Sequence, residues 1–272
     1  MCHVLAVLVW VPIHCLYSAV PVENERMFIM AEENDKLKLA EEQVKNKPSS
    51  ARAWFQLGEA HAQLRHHSEA IQAYTKSAEL DAKFMIAINQ RGGERFKTGD
   101  IAGSIEDFEK YIKENPKAYD DHWRYGISLY YAKRFADGAK QFKAGEKAFG
   151  NDVENAFWHY LCTARDSDLK KARAALLKIG PDSRVPMMKV YDLISGTARP
   201  NEVLETVAKA QLDAQGKNEA LFYAHLYIGL NYEAEGDQAK AKEHLEIAVT
   251  KHKIGHYMWD VGNVHLKLLK KK

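Results

Sequence analysis

Glycine recurs along this chain at an interval that leaves few folds open. Gly58, Gly92 and Gly126 stand 34 residues apart, and Gly229 follows after three more periods plus one residue. Other residue types keep step with them. Counting from Ala51 as position 1, the first copy has Trp54 at 4, Leu57 at 7, Gly58 at 8, Ala70 at 20 and Tyr74 at 24. From Met85 the same positions hold Ile88, Arg91, Gly92, Ser104 and Phe108, with Pro116 at 32. From Tyr119 they hold His122, Tyr125, Gly126, Gly138 and Phe142, and from Phe222 they hold His225, Ile228, Gly229, Ala241 and Leu245.

Such spacing describes two antiparallel helices joined by a short polar turn. Within each copy the apolar positions fall at helical intervals, as in Ala70, Ile71, Ala73, Tyr74 and Ala78. A small residue at 8 facing a small one at 20 lets the two backbones approach, and the aromatic at 24 fills the space beside position 4. Thr98-Gly99-Asp100 and Glu235-Gly236-Asp237 supply a glycine to stop one helix and an aspartate to cap the next. A lone helix pair cannot bury its apolar face, so the copies must stack.

These residues resemble the tetratricopeptide repeat, a 34-residue helix-turn-helix unit with this Trp-Leu-Gly, Ala, Phe, Pro pattern. The resemblance implies an all-α, right-handed α-solenoid of about six such units with helical caps. Three regular repeats are expected over 51–152, two degenerate units over 153–221 and a further repeat over 222–255. The fourth keeps Ala172 and Leu176 but has Tyr160 where glycine is expected, which should splay the pair or change its angle. In the fifth, a short first helix in VPMMKVYDLIS ends at Gly196 and Pro200, and EVLETVAKAQL supplies the second. A capping helix is expected over 30–48, ending at Pro48, and another over 256–272, with an apolar stripe through Val261, Val264 and Leu268. The lysines at its end complement the helix dipole.

Residues 1–29 read as a signal-like apolar segment and linker. Residues 2–20 are too short and too interrupted, by Pro12 and His14, to be a stable membrane span. Either they export the protein, to the periplasm or outside the cell, or translation starts at Met27 or Met30 and the protein is cytoplasmic. The net charge of +2 in 272 residues gives no field to draw in nucleic acid. Three cysteines, two of them in the first 15 residues, make no disulfide framework.

In tetratricopeptide repeats the first helices line the concave surface, and the resemblance places particular positions there. In this chain those positions hold Phe55, Asn89, Phe96, Trp123, Ile127, Tyr130, Tyr131, Glu154, Phe157, Arg165 and Tyr223, and Arg124 lies among them. An aromatic groove rimmed by charge suits a peptide segment of a protein partner, with no cofactor. The alternative is that these rings pack against neighbouring helices. Trp123, Tyr130, Tyr131 and Phe157 are larger than stacking alone requires, which favours the groove. Repeat proteins that clamp a chaperone's acidic C-terminus need basic and amide residues where this chain has Phe55, Glu59, Gln90 and Asp120. Only Arg124 matches, so that mode is not expected.

The expected function is therefore that of a non-enzymatic scaffold or adaptor. LFYAHLYIGLNYEAEGDQAKAKEHLEIAV also resembles the NlpI-type periplasmic lipoproteins, which implies an adaptor for cell-envelope enzymes, and DVENAFWHYLCTAR and GHYMWDV resemble segments of uncharacterised bacterial repeat proteins. A competing chemistry centres on His159, Cys162 and Arg165, which neighbour one another on a helix surface as a thiol nucleophile would need. His159 falls at a core position and no orienting third group is visible, so no catalytic site is expected. For metals, His66-His67 lies in a turn and Gly255 separates His252 from His256, so no site is expected.

Overall fold

The computed structural model describes residues 22–270, and the apolar segment 1–20 and the last two lysines lie outside them. Among the described residues the protein is all helical. A leading helix α1 (Val22–Asn46) is followed by the pairs α2 (Ala51–Gln63) with α3 (His67–Leu80), α4 (Met85–Thr98) with α5 (Ile101–Glu114), and α6 (Trp123–Tyr131) with α7 (Phe135–Ala144). Then come α8 (Val153–Asp166) with α9 (Leu169–Ala174), α10 (Met187–Ser195) with α11 (Pro200–Lys209), and α12 (Ala214–Ala234) with α13 (Gln238–Lys251). The last helix is α14 (Tyr257–Leu269). No described helix is long and apolar enough to cross a membrane.

Local chemistry sets the helix ends. Ser50, Asp100, Asp152, Asp168, Asp213 and Asp237 each cap the helix that follows by accepting a backbone N–H in its first turn. Gly99 and Gly236 have φ of 90°, the left-handed conformation that turns the chain out of one helix and into the next. Gly196 does the same at the end of α10.

The repeated glycines make room for rings. A Cβ added to Gly58 would lie 2.5 Å from the Tyr74 ring, and one added to Gly92 would lie 2.8 Å from Phe108. The third repeat is alike, with 2.7 Å from Gly126 to Phe142. Position 8 therefore serves mainly the aromatic at 24, more than the small residue at 20 that the spacing suggested. Tyr74, Phe108 and Phe142 are all fully buried as a result.

The fourth pair departs from this pattern. Tyr160 is fully buried where a glycine would stand, and its hydroxyl donates to Asn231 Oδ1 at 3.3 Å. The second helix of this pair packs along less of the first than in the earlier pairs. Here α9 stops after six residues, and Leu176, the counterpart of Tyr74, lies beyond its end. A bulky ring in the first helix thus goes with a shortened second helix.

The closing helix does more than cap. It packs on α13 and across α4, the first helix of the second pair, and its Tyr257 and His265 reach Trp123 and Tyr131 of α6. Tyr257 stacks on Phe96 with centroids 5.6 Å apart and meets Trp123 edge-on at 5.2 Å. Tyr131 packs edge-on to His265. Asp260 pairs with Arg65, from the turn after α2, and the Arg65 guanidinium also lies over the Trp259 ring. Val261 and Val264 are buried as the stripe predicted, whereas Leu268 is exposed. One continuous core runs from Phe96 through α8 and α12 to Leu266.

Candidate functional site

With α12 and α14 lying against the first helices, the residues assigned to a groove are distributed over several environments. Phe96, Ile127, Tyr130 and Phe157 are buried, and Asn89 is nearly so. Phe96 lies between Tyr131 and Tyr257, and Phe157 packs on Tyr227 of α12 with centroids 4.5 Å apart. Phe55 packs between repeats, against Tyr74 and Phe84. Tyr223 is half-buried and bonded to His256. Asn89, Trp123 and Arg124 border one small polar cleft, and Tyr130, Tyr131 and Arg165 border a larger, mostly apolar one of about 270 Å³ beside Glu233.

Trp123, Ile127 and Glu154 come together at a cavity of about 190 Å³. Phe142, Phe149, Trp158 and Met258 complete its apolar wall, and Asp152, Asn155, Arg184 and His256 supply the polar groups. The elements that place them are α6, α7 and the turn after it, the first two turns of α8, the connection before α10, and the corner between α13 and α14. Asp152 is held by its capping bond to Glu154 N, and His256 by accepting from Met258 N through Nδ1. Asn155 Nδ2 donates to the Phe142 carbonyl at 3.0 Å.

Charge in the site is concentrated around one guanidinium. Arg184 donates to Asp152 Oδ1, Glu154 Oε2 and Asp182 Oδ2, each at 2.6 Å. Asp182 also accepts from Val153 N and from Arg184 N, which ties the loop to the start of α8. Glu154 accepts a hydrogen bond from the buried Tyr227 hydroxyl. Burial, and then the neighbouring Asp152, raise the Glu154 carboxyl above its ordinary value against the pull of Arg184. Two polar atoms on buried side chains of this wall have no hydrogen-bond partner. They are the acceptor Asn155 Oδ1 and the donor Trp158 Nε1.

The sequence identified three of these cavity residues and missed the rest. Trp158 and Asn155 flank Phe157 on α8, and no position rule singles them out. Arg184 lies in an irregular connection, and His256 and Met258 reach the site only because the chain closes on itself. Asp152 did carry a visible mark, its place as a helix cap.

The His159, Cys162 and Arg165 cluster does not form a reactive centre. Cys162 is fully buried, and burial, then Asp166, hold its thiol well above the ordinary value, so no accessible thiolate forms there. Its sulfur lies where a Cβ on Gly138 would come within 2.8 Å, a packing role between α7 and α8. Among the described residues no group of three His, Cys, Asp or Glu side chains is arranged to hold a metal ion.

Stacked helix pairs around a continuous core define an α-solenoid scaffold for protein–protein interaction. Family models for the tetratricopeptide repeat match residues 51–84, 90–153 and 223–253. The chain is a tetratricopeptide repeat protein. Among solved structures, it is similar to a tetratricopeptide repeat protein from Parabacteroides merdae, with TM-score 0.55, 12% identity and coverage of 92% of this chain and 97% of that one. It is also similar to a chain of the APC/C hetero-tetramer Cut9-Hcn1, with TM-score 0.50, 16% identity and coverage of 88% and 46%. At those identities the likeness is one of fold. Among curated proteins, anaphase-promoting complex subunit 3 of Schizosaccharomyces pombe is 30% identical over 95 residues. That match covers 35% of this chain, and the chain spans 14% of that relative's length.

Proposed function

We propose that the protein is a non-catalytic adaptor that holds a peptide segment of a partner protein at the cavity between α6, α8 and the α13–α14 corner. The observation that carries this reading is the pair of unpartnered atoms in one aromatic wall, Asn155 Oδ1 and Trp158 Nε1. Buried polar atoms are normally satisfied, and an unpaired acceptor and an unpaired donor on residues three apart along α8 complement a peptide unit, which offers one N–H and one C=O. The volume supports the same assignment. At about 190 Å³ the cavity is smaller than the ~300–1,000 Å³ typical of drug-sized ligands, and it suits one residue of an extended chain.

The test starts from a random peptide library selected on the immobilised protein, with affinities of the recovered peptides measured by fluorescence polarisation. Trp158→Phe keeps the ring stack and removes the N–H, and is expected to weaken binding about tenfold, the effect of one lost buried hydrogen bond. Trp123→Ala removes part of the wall and should weaken it at least as much. Unchanged affinity in both variants, with circular dichroism showing both folded, would move the peptide to another face.

A further inference from the structure

The charges around the cavity do not balance. Among the described residues Arg184 is the one cation bonded there, and it is shared among Asp152, Glu154 and Asp182. Three carboxylates against one guanidinium leave two negative charges uncompensated at the edge of an aromatic cavity. Glu219 adds a further negative charge near His256 and Tyr223. His256 does not offset this. Burial first, and then Arg184, lower its pKa, and its Nδ1 is occupied as an acceptor from Met258 N, so the ring is neutral. The same cavity is lined by Trp123, Phe149 and Trp158, and aromatic rings attract cations. Asn155 Oδ1, on a buried side chain in the same wall, is an acceptor without a donor.

Resting on the adaptor reading, we infer that the cavity selects a basic residue of the bound peptide, seating its cationic side chain between the Asp152–Glu154 carboxylates and the tryptophan faces. Each feature of the site has a complement in that side chain. Its N–H groups satisfy Asn155 Oδ1 and the free lone pairs of Asp152 and Glu154, and its aliphatic stem covers Ile127 and Met258. Its charge offsets part of the acidic excess. Hydrogen bonds to charged partners in a partly desolvated site are roughly twice as strong as neutral ones. An acidic or purely apolar residue would leave the two carboxylates desolvated without compensation, which is costly. Arginine and lysine share this chemistry, and the planar guanidinium, which stacks on indole and bonds two oxygens at once, is the better fit.

The experiment uses the full chain and capped decapeptides carrying the residue under test at the centre of an otherwise fixed sequence taken from the library selection. The central residue is arginine, lysine, citrulline, leucine or glutamate, and binding is read by fluorescence polarisation. The arginine peptide is expected to bind about tenfold or more tightly than the citrulline one, which has nearly the same shape without the charge. Glu154→Gln, which keeps an acceptor for Tyr227, and Asp152→Asn should each reduce that ratio. Thermal melts confirm that both variants fold, and the two substitutions are independent routes to the same loss of charge. Equal binding of all five peptides, still abolished by Trp123→Ala, would overturn the charge selection and leave the adaptor reading standing. Preference for the glutamate peptide would overturn it outright. Failure of the library to yield any binder to folded protein would remove the adaptor reading itself.

Discussion

The first three pairs and the middle of the chain solve the same packing problem in opposite ways. In residues 51–144 each first helix has a glycine under the ring of its partner helix, as Gly58 lies under Tyr74 and Gly126 under Phe142. The large side chain comes from the second helix, so that helix must be long enough to carry it. In residues 153–209 the large side chain comes from the first helix. Tyr160 fills the space itself, and α9 ends two residues before the matching Leu176. The room released is taken by α12, whose Tyr227 packs on Phe157 and whose Asn231 receives the Tyr160 hydroxyl. An aromatic in place of a glycine thus does not simply damage a repeat. It gives up part of the contact with the next helix in sequence and adds contact with residues some 70 further on. That exchange lets α8 form one wall of the candidate site.

Restoring the consensus at this position is expected to have the largest effect. Tyr160→Gly removes a fully buried ring with nothing to collapse into its place. It should destabilise the protein by about 4–6 kcal/mol, combining the loss of a buried aromatic with a glycine inside a helix. The measurement is the urea midpoint by circular dichroism. A loss below about 1 kcal/mol would mean that the space at 160 is not structural and that the contrast between the two regions is wrong.

The legibility of the fold divides along the same line. The regular pairs were readable because the contact between Gly58 and Tyr74 spans only 16 residues and repeats with the same spacing at Gly92 and Gly126. The return of α14 onto α4 was not readable. Arg65 and Asp260 are 195 residues apart, and their meeting depends on the accumulated angle of every pair between them. The rule that assigned groove positions supposes an open concave side. Here the chain lays its own helices along it, so Phe96 and Phe157 contribute to the core, while Trp123, Ile127 and Glu154 reach the cavity that remains. The acidic excess around Arg184 has no sequence signature, because Arg184 and Glu154 are brought together by the loop that the shortened α9 leaves behind.

The two regions should respond alike to acid, through one buried histidine in each. His122 of the third repeat accepts from Tyr125 N through Nδ1, so its Nε2 carries the proton and donates to Asn89 Oδ1 at 2.8 Å. A second proton has no place on that ring. Burial, then Arg124, push its pKa down to about 4 from 6.5. Burial, then Lys143, push His159 on α8 down to about 4 as well. Between those two values the unfolded chain takes up protons that the folded one refuses, so stability is whole above about pH 6.5 and falls as pH drops towards 4. Each is expected to remove on the order of 3 kcal/mol across that window. Urea midpoints at pH 7.0 and 4.5 measure it, with His122→Gln and His159→Gln each flattening the slope. A slope carried by only one of them would show that the regular and irregular regions do not share this device.

The smallest effect concerns the consensus glycine where it is present. In Gly126→Ala the new Cβ would come within 2.7 Å of the Phe142 ring, which cannot easily retreat because Trp158 is stacked beside it at 6.3 Å. One methyl group in a filled space costs about 1–3 kcal/mol, and for a chain of this length each kcal/mol lowers the melting temperature by roughly 2–4 °C. Gly255→Ala is the matched control, because a Cβ there meets nothing within 4 Å and should change stability by less than about 0.5 kcal/mol. Phe142 and Trp158 both line the candidate cavity, so the strain introduced at Gly126 is passed into its wall. A variant that melts lower but binds the selected peptides unchanged would show that the ring stack is a structural feature of the regular repeats alone. A variant that loses both would show that the regular region sets the shape of the site built on the irregular one.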